Sequence, residues 1–160
     1  MEPEEPLDEI AFFGAIVCAK LRVLLIGRRA LVALGAPVMT QDYDLWVAPE
    51  DAPKLNEIAA SFGLAPTRSA EEALRVGRYV LEGEDRVDVL LARSVSTVDG
   101  EVVHFEDVWK RRGTQWLEDH VFVNLPCLDD LIATKRFAAR PKDIEDIRFL
   151  EALKAGEGPR

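Results

Sequence analysis

The sequence predicts a mixed α/β (α+β) domain: one mixed β-sheet with helices packed mainly on one face. Three observations point to it. Short apolar runs rich in branched residues, at 23–26, 45–47 and 87–91, read as strands covered by other elements. Stretches with the spacing of one helical face lie between them, several closed by glycine. Residues 78–81 and 86–92 flank Glu82-Gly83-Glu84-Asp85, a hairpin signal. With 160 residues, 48% of them hydrophobic, the chain suits a single domain over 1–160 that can bury a core.

Taken in order, Leu7, Ile10, Ala11, Gly14 and Val17 recur on one face, so residues 6–21 read as a helix lying on the sheet. After the strand 23–26, Gly27 turns the chain into a short helix, 29–34, ended by Gly35 with Pro37 two residues on. The first amides of that helix lie beside Gly27, a ready place for phosphate. Residues 44–47 form the second strand. Pro49-Glu50-Asp51 starts a helix with Leu55, Ile58, Ala59 and Phe62 on one stripe and Gly63 as its stop. Ser69, with Glu72 three residues later, is a capping box for a helix to residue 76. Beyond the hairpin, 94–99 reads as a polar loop, 101–105 as a strand, 106–112 as a weak helix carrying Lys110-Arg111-Arg112, and 121–123 as a strand. Asp129 and Asp130 open a helix containing Leu131, Ile132 and Lys135. Arg140-Pro141 opens the last helix, with proline where its missing amide costs nothing. Residues 156–160 read as a frayed tail.

Charge and cysteine usage narrow the function classes. A formal net charge of -9 argues against broad electrostatic binding to DNA or RNA, which rests on neutralising phosphates with Lys and Arg, and leaves room only for a local basic patch. Cys18 and Cys127 have apolar neighbours and no metal or redox spacing, so they read as reduced, packed thiols of a cytosolic protein. The apolar stretch 10–26 is interrupted by Lys20 and Arg22, and the acidic start is unlike a signal peptide. The expectation is a cytoplasmic protein with no membrane segment.

The chemistry concentrates around Thr40-Gln41-Asp42-Tyr43-Asp44. Successive side chains of a strand point to opposite faces, so Asp42 and Asp44 share one face roughly 7 Å apart and can hold a divalent cation between them. Asp88 sits inside a strand that otherwise reads as buried, where an unpaired carboxylate is costly. It reaches the other two if its strand lies beside theirs, since opposed residues come within roughly 5 Å at Cβ. An Asp-x-Asp pair alone is common where loops enter strands; the combination with Gly27 and Asp88 singles this one out. Without a metal, three such acids raise one another's pKa. Thr40 can order the loop or meet a phosphate. Lys135 can reach a triphosphate or snorkel from its helix. His104 and His120 are isolated, and Trp46, Trp109 and Trp116 read as packing residues.

A strand ending in glycine, a helix, Asp-x-Asp between apolar residues and a later Asp between valines resembles the nucleotidyltransferase superfamily with the DNA polymerase beta type palm. The resemblance extends to Leu128-Asp129-Asp130-Leu131-Ile132-Ala133-Thr134-Lys135 and Arg140-Pro141-Lys142-Asp143-Ile144-Glu145-Asp146-Ile147, which are similar to small bacterial nucleotidyltransferase-like proteins, including AbiEii- or MNT-type antitoxins. It implies the nucleotidyltransferase fold with C-terminal helices. It implies Mg2+ or Mn2+ on Asp42, Asp44 and Asp88, and a nucleoside triphosphate, foremost ATP, near Gly27, Arg28, Thr40 and Lys135. The activity implied is transfer of a nucleotide to a hydroxyl of a protein, RNA or small molecule, with a protein toxin or an RNA as acceptor partners; a degenerate partner-binding module is the alternative. Two magnesium ions about 3.5 to 4 Å apart serve such transfers, and carboxylates suit this hard cation. The family has Gly-Gly or Gly-Ser after the first strand, whereas this chain has Gly27-Arg28. The guanidinium can turn into the cleft and pair with a phosphate, or its stem can fill the cleft. Arg140, Lys142, Asp143 and Asp146 match the C-terminal pattern; a solvated helix face with intrahelical ion pairs is the plainer reading.

Overall fold

In the computed structural model, which describes residues 7–138 and 140–156, a seven-stranded mixed sheet forms the centre of the chain. The fully apolar β1 (Val23–Ile26) pairs antiparallel with β2 (Tyr43–Val47). β2 runs parallel to β5 (Arg86–Leu90), which forms the expected antiparallel hairpin with β4 (Arg78–Glu82). On the other side β1 runs parallel to β9 (Val121–Leu125), paired antiparallel with β8 (Gly113–Glu118), and β3 (Ala65–Pro66) closes the far edge against β4.

The helices fall close to the sequence expectation. α1 (Glu9–Cys18) is capped by the Asp8 side chain, which accepts from the Ala11 amide. α2 (Gly27–Ala33) starts at Gly27 itself, two residues earlier than expected. A 3-10 turn at Pro49–Asp51 leads into α3 (Ala52–Ala60), and Ser69 accepts from the Glu72 amide to cap α4 (Ala70–Val76). α5 (Phe105–Lys110), α6 (Leu128–Lys135) and α7 (Pro141–Lys154) complete the set. None of the helices described is long and apolar enough to cross a membrane. Of the expected tail, residues 157–160 lie outside those described, as does Pro6 at the expected start of the first helix.

Alternation along the strands divides the core in two. Val23, Leu25, Leu45, Val47, Val87 and Val89 face the larger cluster, built with α1, α2, α3, α6 and α7. Leu24, Ile26, Trp46 and Ala48 face a smaller one completed by Val103, Phe105, Val108 and Ala133. Trp46 is fully buried there, its indole donating to the Ala92 carbonyl at 2.8 Å, with Phe105 and Phe137 edge-on against it. Burying each large side chain contributes about 1.5–3 kcal/mol. Trp109 stacks on Phe105, whereas Trp116 is 61% exposed, with Phe122 edge-on against its ring.

Three strands depart from the sequence reading. Residues 94–99, expected as a polar loop, hold β6 (Ser94–Ser96), paired with β7 (Val102–His104) in a separate two-stranded sheet. β3 has two residues, too few to leave a pattern, and β8 is an exposed edge whose signal was weak. Cys18 is exposed and free rather than packed, and Cys127 is free and half-buried.

Candidate active site

Strand alternation puts Asp44 on the Trp46 face of the sheet; the β2–β5 register sets Asp44 opposite Asp88, and the β1–β2 register sets it opposite Ile26. The two acids are therefore direct neighbours on adjacent parallel strands, near where the smaller apolar cluster ends and a cleft of about 640 Å³ opens. Asp42, exposed, stands at the entrance of β2, its amide donating to Thr40 Oγ1 at 3.2 Å, the loop-ordering role expected of that threonine. All seven singled-out residues, Gly27, Arg28, Thr40, Asp42, Asp44, Asp88 and Lys135, line this cleft.

Gly27 meets two demands that no other residue meets together. Its φ is +71°, the left-handed region that L side chains avoid, and a Cβ there would stand 2.9 Å from both Cβ and Cγ of Asp44. The absent side chain is what admits the Asp44 carboxylate.

The electrostatics set Asp44 apart. Burial, then the charge of Asp88, push its pKa above the ordinary carboxylate value; Lys135 opposes this, Asp42 adds to it and Lys142 opposes it. Among the described residues no ion pair or hydrogen-bond donor engages the Asp44 carboxylate. Asp88 differs from the expectation of a buried, unpaired acid: it is 39% exposed, and Arg86, two residues back on the same face, donates to Oδ1 at 3.3 Å. Among the described residues no three His, Cys, Asp or Glu side chains are gathered tightly enough to hold a metal ion between them. The arrangement as it stands is an adjacent Asp44–Asp88 pair with Asp42 at its entrance.

The wall beyond the acids is built by α6 and α7. The inward stripe of α7 begins with Asp143 and Asp146, buried at 1% and 2% exposure, while Ile144 beside them is half exposed. A solvated helix face is therefore ruled out for these two acids. Lys135 does not snorkel: it is 5% exposed, with Nζ 2.7 Å from Asp146 Oδ2. Arg28 lines the cleft with its guanidinium engaged by α7: Nε donates to the same Asp146 oxygen at 3.4 Å and Nη2 lies 3.8 Å from Glu145 Oε2. Arg140 grips Asp143 through Nε at 2.9 Å and through its own amide at 3.1 Å, closing a capping box on α7. The neighbouring Arg29 turns away, its guanidinium 4.2 Å from the Tyr43 ring centroid.

Sequence reasoning missed the opposite wall: Thr67, Arg68, Arg78, Val80 and Arg86 also line the cleft. Arg86 was recoverable, since it shares a strand face with Asp88; Arg68 and Arg78 depended on how β3 and β4 pair.

With this geometry in place the relatives are informative. No protein-family model and no curated protein matches the sequence. Solved structures do match. The lincosamide antibiotic adenylyltransferase LnuA with lincomycin bound superposes with a TM-score of 0.63 at 13% identity, covering 93% of this chain and 99% of that one. ANT(2'')-Ia in complex with adenylyl-2''-tobramycin gives 0.62 at 17% identity, covering 91% and 86%. A Thermotoga maritima protein assigned as a nucleotidyltransferase gives 0.55 at 13%, covering 91% and 87%. At these identities the likeness defines the architecture: the chain has the nucleotidyltransferase fold.

Proposed function

We propose that this protein is a metal-dependent nucleotidyltransferase that moves a nucleotide from a nucleoside triphosphate, foremost ATP, to an acceptor hydroxyl. The observation that carries the reading is the register pairing of Asp44 with Asp88 beside Gly27. A carboxylate that is partly buried, destabilised by a like charge and engaged by no donor is well suited to a cation. Asp42, Asp44 and Asp88 supply hard oxygen donors, which fits Mg2+ or Mn2+. Bound there, such an ion would neutralise the triphosphate and favour ionisation of the acceptor.

The chain's own groups do the rest. Lys135, held by Asp146, offers a fixed cation to the phosphates, and the open backbone at Gly27 lets them approach. The acceptor oxygen attacks the α-phosphorus; a new P–O bond forms as the bond to the bridging oxygen breaks, and pyrophosphate leaves. The hydroxyl proton passes to Asp88, whose exposure lets it pass on to water. Such transfers ask a protein chiefly for positioning and charge stabilisation. The fold neighbours that hold lincomycin and adenylyl-2''-tobramycin support a small-molecule acceptor over RNA or a protein toxin; transfer of radiolabel from ATP to a candidate protein acceptor tests an antitoxin role.

A second reading, a partner-binding module without turnover, is favoured by the Arg86–Asp88 bridge and by Arg28 in place of a small residue. Calorimetry separates the two. ATP should bind with Mg2+ or Mn2+, lose affinity in chelator, and bind at least about tenfold more weakly to Asp44→Asn while the variant stays folded, a difference of about 1.4 kcal/mol. Equal affinity with metal and chelator overturns the enzyme reading. Transfer of radiolabel gained by Arg28→Ser from an inert parent would establish the second.

A further inference from the structure

The chain carries a formal charge of -9, yet its cleft is locally cationic: seven Lys and Arg against four Asp among the described residues that line it. The excess is not concentrated where the nucleotide is placed. On the α6–α7 wall Lys135, Arg28 and Arg140 each already answer a carboxylate of α7. On the β wall Arg78 has no carboxylate within ion-pair distance among the described residues, and Arg68 meets only Glu72, at 3.8 Å across partly exposed side chains. Arg68 is steadied instead by the Arg78 carbonyl, to which its Nη1 donates at 2.9 Å, so the sheet keeps the two arginines together. On the β wall the charge left over therefore sits at Arg68 and Arg78, while on the α7 wall Lys142 alone of the lining cations has no carboxylate within ion-pair distance among the described residues.

Its position relative to the acids is set by the strands. Val80 pairs in register with Asp88, and Arg78 lies two residues along β4 on the same face, a rise of roughly 7 Å.

We propose that the β4 side of the cleft is the acceptor side and that the acceptor is a small hydroxyl compound carrying a phosphate, held by Arg78 and Arg68 with its hydroxyl toward Asp88. This rests on the nucleotidyltransferase reading for the assignment of the other wall. Guanidinium groups match phosphate oxygens with paired donors, and two of them suit a dianion better than a single carboxylate. The chain's formal net charge of -9 opposes docking of a long polyanion, which makes the acceptor small. An amine-rich acceptor is disfavoured by the same two arginines.

The test is calorimetry on the full chain with inorganic phosphate, glucose 6-phosphate, glucose, tobramycin and a hexaribonucleotide, each with Mg2+ and a non-hydrolysable ATP analogue and again with neither. Phosphate and glucose 6-phosphate should bind, about tenfold more weakly to Arg78→Ala and within about threefold of the parent for Arg78→Lys, which keeps the charge. Failure of both probes to bind, equal binding of glucose, tighter binding of tobramycin, or indifference to Arg78→Ala overturns the proposal. A hexaribonucleotide that binds more tightly than glucose 6-phosphate overturns the assignment to a small acceptor. The analogue is titrated separately: if it fails to bind while glucose 6-phosphate binds in an Arg78-dependent way, nucleotide transfer falls and the phosphate site stands.

Discussion

On the α6–α7 side of the cleft, cations are held by buried carboxylates: Lys135 and Asp146 are both nearly inaccessible, and Asp143 fastens Arg140 to the first turn of α7. On the β4–β5 side the cations are exposed or half exposed, and the ion pairs they make are long. A buried pair fixes geometry because breaking it strands a charge in a poor dielectric, whereas an exposed pair contributes little and lets its side chains move. One wall is thus prearranged and the other adaptable. That division suits the proposed transfer, with the nucleotide on the fixed wall and the acceptor on the adaptable one.

The largest effect is expected of Asp146→Ala, which removes the carboxylate shared by Lys135 and Arg28. Leaving Lys135 buried and unpaired should cost about 3–5 kcal/mol in urea unfolding. A loss under about 1 kcal/mol, the range of an exposed pair, would mean that the α7 wall is no more rigid than the other.

Gly27→Ala comes next. A left-handed φ in a non-glycine residue costs of order 1–3 kcal/mol, and the added Cβ must also displace the Asp44 side chain. Stability should fall by that amount, and metal-dependent ATP binding should fall with it. Unchanged binding in a destabilised protein would show that the Asp44 position is not critical to the nucleotide.

Asp44→Asn should act in the opposite direction. Because the folded-state pKa of Asp44 lies above its ordinary value, the unfolded chain loses that proton first as pH rises. Its favourable contribution is present at low pH and is lost as pH climbs through the folded pKa. At pH 7 the asparagine variant should be the more stable of the two and should unfold at a higher Tm. The gap should narrow toward the acid end of the carboxylate range. A gap that widens on acidification would reverse the assigned sign.

The smallest effect is expected on the adaptable wall. Arg78→Ala should leave unfolding within about 0.5 kcal/mol of the parent, as for surface positions away from special features, while altering the binding of phosphate probes. A large destabilisation would mean that the arginine is structural and the contrast between the walls false.

Much of this architecture could be read before any coordinates. The apolar runs of β1 and β2, the β4–β5 hairpin, the Ser69 cap and Pro141 at the start of α7 are local patterns, and each formed where local chemistry placed it. The failures share a cause. β3 and β6 are too short, and β6 too polar, for period-two alternation to register. β8 offers little buried surface, and its hairpin turn at Asp119-His120, with His120 at φ 65°, lacks the glycine or asparagine that would advertise it. On α7, Asp143 and Asp146 occupy the stripe where apolar residues are the rule, so composition alone suggested a wet face.

Local pattern in the sequence was enough to put Asp44 and Trp46 on one face of β2, because side-chain alternation has a fixed period of two, and to place a glycine where β1 turns; Asp42 precedes the strand, so alternation does not fix its face. Only the tertiary structure decided that Asp44 faces Asp88 and that Lys135 meets Asp146. Strand register and helix docking join residues 44 and 11 positions apart in the chain, and they are selected by burial on both faces of the sheet at once. A slip of one residue in β5 would carry Asp88 into the larger apolar core and Val87 or Val89 into the cleft. The cost of burying that carboxylate is what holds the two acids side by side.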